Sequence, residues 1–119
     1  MLYPVAEQLV CFYEIGNIDD FPKKVGRVVC VEETEIALFR LEDNQFYAVA
    51  NRNPHPKGGT LVDGIISDLF LYDPLYDWKI SLVDGMVQAP DRGQIEVYPV
   101  KVEGKTVKLG LPACDNFLS

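Results

Sequence analysis

Apolar residues gather in short runs bounded by turn residues along most of the chain, and no window of 12 or more carries a helix-period stripe, which is the pattern of β-strands. Runs at 9–13 (LVCFY), 26–31 (GRVVCV), 34–40 (TEIALFR) and 45–50 (QFYAVA) predict four strands. In the third, Ile36 and Leu38 share one face while Ala37 and Phe39 share the other. Glu32-Glu33 and the triplet Glu42-Asp43-Asn44 fall where turns are needed, so the four runs read as an antiparallel meander. Downstream, 68–72, 78–82, 86–88, 95–102 and 105–109 predict further short strands, with Asp84-Gly85 and Glu103-Gly104 as hairpin turns. Helical periodicity is confined to one possible turn near 17–22. The expected fold is all-β, with residues 1–111 as a single domain and 112–119 as a tail without a strand pattern.

Charge narrows the partners. The 119 residues carry 11 basic against 18 acidic side chains, a net charge of −7. An acidic field repels phosphate backbones and anionic lipid, which argues against nucleic acid and membrane surfaces as partners. No apolar run approaches the ~18 residues a membrane helix needs. The first residues, MLYPVAEQLVCFYEIG, lack a basic leader and carry Glu7 early, so a cytoplasmic protein is expected. Three cysteines, Cys11, Cys30 and Cys114, match no Cys-x-x-Cys pair and read as reduced thiols. Cys11 and Cys30 lie in apolar stretches and are expected in the core.

Two segments break the strand pattern. Residues 51–61, NRNPHPKGGTL, gather two prolines, the only histidine and a Gly-Gly pair. Residues 73–78, DPLYDW, hold the only tryptophan. Such density of Pro and Gly prescribes a fixed backbone course rather than a passive linker. Between the two segments lies enough sequence for a β-hairpin.

Asn51-Arg52, Pro54-His55, Lys57-Gly58-Gly59 and Leu61, followed by Asp73-Pro74-Leu75 and Trp78, resemble the two cluster-binding loops of a Rieske domain. That family writes them as Cys-x-His and, some 15–20 residues on, Cys-x-x-His, binding a [2Fe–2S] cluster through two thiolates and two imidazoles. The flanks, FRLEDNQFYAVANR and DWKISLVDGMVQAPDRGQIEVYPVKVEGKTVKL, are most similar to the small subunit of NAD(P)H-dependent nitrite reductase. The likeness covers about residues 8–109. It implies a Rieske-like fold of stacked antiparallel sheets with a small loop-bearing subdomain.

Carried over by position, the ligands fall on Asn53, His55, Asp73 and Tyr76, with Pro56 as a one-residue insertion. Only His55 keeps a ligand type, and amide and phenol do not replace thiolate at a ferric cluster. These are therefore vestigial cluster positions, with no cofactor and no metal expected in this chain. His55 could still hold a single metal ion beside Asp73, Tyr76 and Asn53. The expected alternative is a hydrogen bond from His55 to Asp73, a polar clasp across the loops. Tyr76 and Trp78 are expected to fill the space a cluster would take. Gly58-Gly59 lacks the Walker spacing for a phosphate loop, and nothing marks a nucleophile elbow for His55 to activate. No catalytic residue is assigned.

The resemblance implies a non-catalytic subunit, active in nitrogen metabolism only with a large subunit that carries FAD, siroheme and a [4Fe–4S] cluster and reduces nitrite to ammonium. Pro54, Pro56, Leu75, Tyr76 and Trp78, concentrated at the loop tips, are the expected docking residues. The alternatives are a Rieske-type electron-transfer ferredoxin with unusual ligation, or a Rieske-fold adaptor of another oxidoreductase.

Overall fold

The computed structural model describes residues 10–42 and 44–112. Among the described residues, ten strands run in chain order: β1 (Val10–Asn17), β2 (Arg27–Val31), β3 (Thr34–Glu42), β4 (Gln45–Ala50), β5 (Ile65–Ser67), β6 (Phe70–Tyr72), β7 (Lys79–Ser81), β8 (Val97–Tyr98), β9 (Val100–Glu103) and β10 (Thr106–Pro112). They form three antiparallel sheets, ordered β1-β10-β9, β2-β3-β4-β8 and β5-β6-β7. The fold is all-β, and its three antiparallel sheets, with β5–β7 as the smallest unit, agree with the architecture that the resemblance implies.

The alternation read in 34–40 sets the layering. Ile36 and Leu38 enter one core with Phe46, Ala48, Val107, Leu109 and Leu111, against the β1-β10-β9 sheet. Ala37, Phe39 and Leu41 enter the other with Leu61, Leu71 and Ile80, against the β5–β7 sheet. β3 is thus buried on both faces, and Ile36, Ala37 and Phe39 have no exposed surface. Complete burial of Phe39 or Ile36 contributes about 1.5–3 kcal/mol each, and these side chains lock the central sheet between its two neighbours. Glu32 and Glu33 both adopt left-handed φ values, 51° and 67°, the backbone that a two-residue hairpin needs to match strand twist.

Several sequence expectations are corrected. The run at 9–13 does not join the meander: β1 pairs with β10, Val10 opposite Pro112, and closes a different sheet. The reason lies in 17–22, where Asn17 and Asp20 form a capping box around the 3₁₀ turn Ile18–Asp20 and carry the chain away from β2. The run at 95–102 splits at Pro99, so β8 ends the central sheet and β9 starts as the edge of another. Residues 86–88 form only isolated bridges, Ile80 with Val87 and Met86 with Gln94. Cys11 and Cys30 are exposed, not in the core. Both sit on edge strands, and Cys30 projects from the face opposite Val29 and Val31, which take the core contacts. Pro112 belongs to β10, one residue past the expected boundary, while Cys114 and the rest of the tail lie outside the described residues. Among the described residues, no helix is long and apolar enough to cross a membrane.

Candidate functional site

β4 ends at Ala50 and delivers the chain into the 51–61 loop, which Asn51 anchors. Its buried Oδ1 accepts the N–H groups of Leu61 at 2.8 Å and Val62 at 2.9 Å, while its Nδ2 donates to Glu35 at 3.3 Å. One side chain therefore ties both ends of the loop to the central sheet. This role was not expected from sequence; the signal was a polar residue at the end of an otherwise apolar strand.

Inside the loop the bonds are local. Asn53 Oδ1 accepts His55 N–H at 2.9 Å, and His55 Nδ1 accepts Lys57 N–H at 3.0 Å. His55 C=O accepts Gly58 N–H at 2.8 Å, and Asn53 donates its N–H to Gly59 C=O at 2.9 Å. Acceptance at Nδ1 places the imidazole proton on Nε2. Gly59 has φ +117°, and a Cβ there would stand 2.5 Å from Leu75 Cδ1, so the second loop approaches the first at that point.

The second loop is organised by Asp73, which is only 3% exposed. Its Oδ1 accepts the N–H groups of Leu75 at 2.7 Å and Tyr76 at 2.6 Å, and its Oδ2 accepts Trp78 N–H at 3.0 Å. Burial acts to raise its pKa, but the N–H groups of Tyr76, Trp78 and Leu75, with the Asn53 side chain, outweigh it and hold the carboxyl below its ordinary value. Asn53 Nδ2 is near enough to contribute there, yet it is buried without a hydrogen bond of good geometry.

The loops meet through rings. His55 stacks on Tyr76 with centroids 3.7 Å apart and planes 13° from parallel, and it lies 4.9 Å from Trp78 at a tilted angle. The structure thus brings Asn53, His55, Asp73 and Tyr76 together but overturns the polar clasp. No hydrogen bond joins His55 to Asp73: the carboxylate accepts three N–H groups of its own loop, and His55 Nδ1 accepts Lys57 N–H. Of the expected docking residues, Pro56 and Leu75 are exposed, Leu75 at 58%. Pro54 and Tyr76 are half-buried, and Trp78 packs against the core that contains Phe39, Leu61 and Leu71.

Residues 11–110 match the family model for the Rieske-like [2Fe-2S] domain. The chain belongs to that family. It is 33% identical over 100 residues to the nitrite reductase [NAD(P)H] large subunit of Klebsiella oxytoca, a match covering 81% of this chain and 10% of that protein. The chain therefore spans about a tenth of that relative's length. It is 32% identical over 84 residues to the ferredoxin component of the naphthalene 1,2-dioxygenase system of Pseudomonas aeruginosa, covering 70% of this chain and 79% of that one. The solution structure of the nitrite reductase [NAD(P)H] small subunit from Erwinia carotovora superposes with a TM-score of 0.71 at 26% identity, covering 87% of this chain and 84% of that one.

The side chains at the four positions do not fit the [2Fe–2S] centre that the family's description carries. The set offers an amide, an imidazole, a carboxylate and a phenol, with no thiolate. The carboxylate is saturated by N–H donors and the phenol ring lies flat on the imidazole. Among the described residues, no three His, Cys, Asp or Glu side chains converge as a metal site.

Proposed function

We propose that this member of the Rieske-like family is the small, non-catalytic subunit of a cytoplasmic NAD(P)H-dependent nitrite reductase. It carries no iron–sulfur cluster and docks on a large subunit that reduces nitrite to ammonium. The observation that carries this reading is the Klebsiella match, where a domain similar to most of this chain occupies a tenth of the large subunit itself. A domain built into the catalytic polypeptide of one protein is readily supplied to it as a separate chain in another. FAD, siroheme and [4Fe–4S], the redox groups that the resemblance implies, would all reside on the large subunit. The small chain contributes a surface.

We assign that surface to the loop tips. Leu75 is a large apolar side chain standing 58% exposed between Pro74 and Tyr76, and removing such a surface from water on docking favours association. Leu75→Asp is expected to weaken association with the large subunit by about 1–3 kcal/mol while leaving the melting temperature within a few degrees. Calorimetric titration of the folded variant against the large subunit tests this, and unchanged affinity would move the interface elsewhere. The dioxygenase ferredoxin match favours a second reading, electron transfer. That reading requires a redox centre, which the donor set at Asn53, His55, Asp73 and Tyr76 argues against.

A further inference from the structure

We propose that Asp73 is the positioning residue of the docking loop, and that its charge, rather than its shape, orders residues 73–78 and fixes how Leu75 is presented to a partner. The presentation half rests on the docking reading above. The ordering half stands on geometry. Asp73 is 3% exposed and sits at the centre of the N–H groups of Leu75, Tyr76 and Trp78, which lie at 2.7, 2.6 and 3.0 Å from its two oxygens. Convergent N–H groups make an anion-binding concavity. Here the protein's own carboxylate fills it.

The two oxygens carry different parts of the loop. Oδ1 holds the tip, Leu75 and Tyr76, and Oδ2 holds the exit, Trp78. An isosteric amide can supply only one of them. Whichever way Asn were turned at 73, its NH₂ would face either the Trp78 N–H or the Leu75 and Tyr76 pair, donor against donor. The buried Asn53 Nδ2, which makes no hydrogen bond of good geometry, adds a further donor beside the carboxylate. The surroundings are therefore built for a negative acceptor. Tyr76 transmits the effect to the facing loop, because its N–H is bound by Asp73 while its ring lies on His55.

Hydrogen exchange on the full chain, read amide by amide with a chelator present, tests this. In Asp73→Asn, the amides of Leu75, Tyr76 and Trp78 should exchange at least about tenfold faster while those of β3 and β4 stay protected. In Asp73→Cys, protection at the same three amides should return as pH rises through thiol ionisation, at about 8.5, because an anion is restored without a carboxylate's shape. Wild type and Asp73→Asn, followed over the same range, subtract any contribution from the nearby titratable groups His55, Lys57, Tyr76, Asp77 and Lys79. Equal protection in Asp73→Asn and wild type would overturn the proposal, as would an Asp73→Cys profile that stays flat. Should Asp73→Asn fail to fold, the Asp73→Cys chain compared at its two pH extremes gives the same contrast within one protein. Affinity for the large subunit separates the two readings. Asp73→Asn should lose at least the fold-change that Leu75→Asp loses; if Leu75→Asp binds normally, the docking reading fails and the exchange result still judges the charge. If Leu75→Asp loses binding and Asp73→Asn does not, the positioning role is overturned.

Discussion

The ring stack between His55 and Tyr76 is the cross-loop contact most open to measurement. With centroids 3.7 Å apart and planes within 13°, the pair should contribute about 0.5–1.5 kcal/mol beyond the area it buries. Tyr76→Ala removes that contact and part of a half-buried ring, for a cost of about 1–2 kcal/mol. His55→Ala removes the same contact, the Trp78 contact at 4.9 Å and the acceptor for Lys57 N–H. Lys57 is exposed and water can take its N–H, so the lost hydrogen bond adds only about 0.5–1.5 kcal/mol. A double-mutant cycle by urea unfolding isolates the shared part, expected at about 0.5–1.5 kcal/mol. The parallel cycle His55→Ala with Asp73→Asn should couple more weakly, because those side chains bond to their own loops. A His55–Tyr76 coupling within about 0.3 kcal/mol of zero would refute the stack as the clasp. A larger coupling for His55–Asp73 would restore the polar alternative.

Purified chain should be colourless and free of iron and acid-labile sulfide, since Asn53, Asp73 and Tyr76 stand where three ligands are required; stoichiometric iron with a Rieske-type electron paramagnetic resonance signal would contradict this. Phe39→Ala, at a fully buried position of the central strand, should cost about 3–5 kcal/mol by urea unfolding, and a loss under 1 kcal/mol would mean the core against the β5–β7 sheet is loosely packed. Burial, helped by its hydrogen bond to Glu96 at 2.9 Å and that carboxylate's charge, pushes Tyr98 from 10.0 up to about 12, with Arg52 opposing. Its contribution to stability is therefore complete below pH ~10 and lost as pH rises through about 12. A phenolate absorbance titration of wild type against Tyr98→Phe, showing a missing step near pH 10 instead, would exclude that environment.

Local pattern disclosed the strands but not which of them would meet. The two faces of 34–40 were legible because Ile36 and Leu38 make one apolar and Ala37 and Phe39 the other, which is what a strand buried between two layers requires. The partner of β1 was not legible. Antiparallel neighbours are often consecutive, and nothing in LVCFY records that its mate lies near the far end of the chain. Cys11 and Cys30 misled for a related reason. Apolar context marks a strand, while a side chain's burial depends on whether another layer covers its face, and on β2 the covered face belongs to Val29 and Val31 rather than Cys30.

At the site, sequence placed the right four residues together and assigned the wrong bond between them. The error lay in treating His55 and Asp73 as free to reach each other, when each already has nearer N–H groups two to five residues along the chain. Local Asx-type capture is entropically cheap, whereas a cross-loop hydrogen bond must first hold two loops in place. What remains to join the loops is contact without strict directionality, and stacked rings supply it. The residues at 53, 73 and 76 then make sense as a set. A carboxylate at 73 satisfies the N–H groups of its own loop, an amide at 53 accepts His55 N–H, and a phenol ring at 76 covers the imidazole face. Changing one alone would leave the others with unmet demands: a thiol at 73 gives the three N–H groups a poorer acceptor, and a small side chain at 76 exposes His55. Loop order is thus a property of the combination, and substitutions at Asp73 and Tyr76, which share the Tyr76 N–H, should couple with each other.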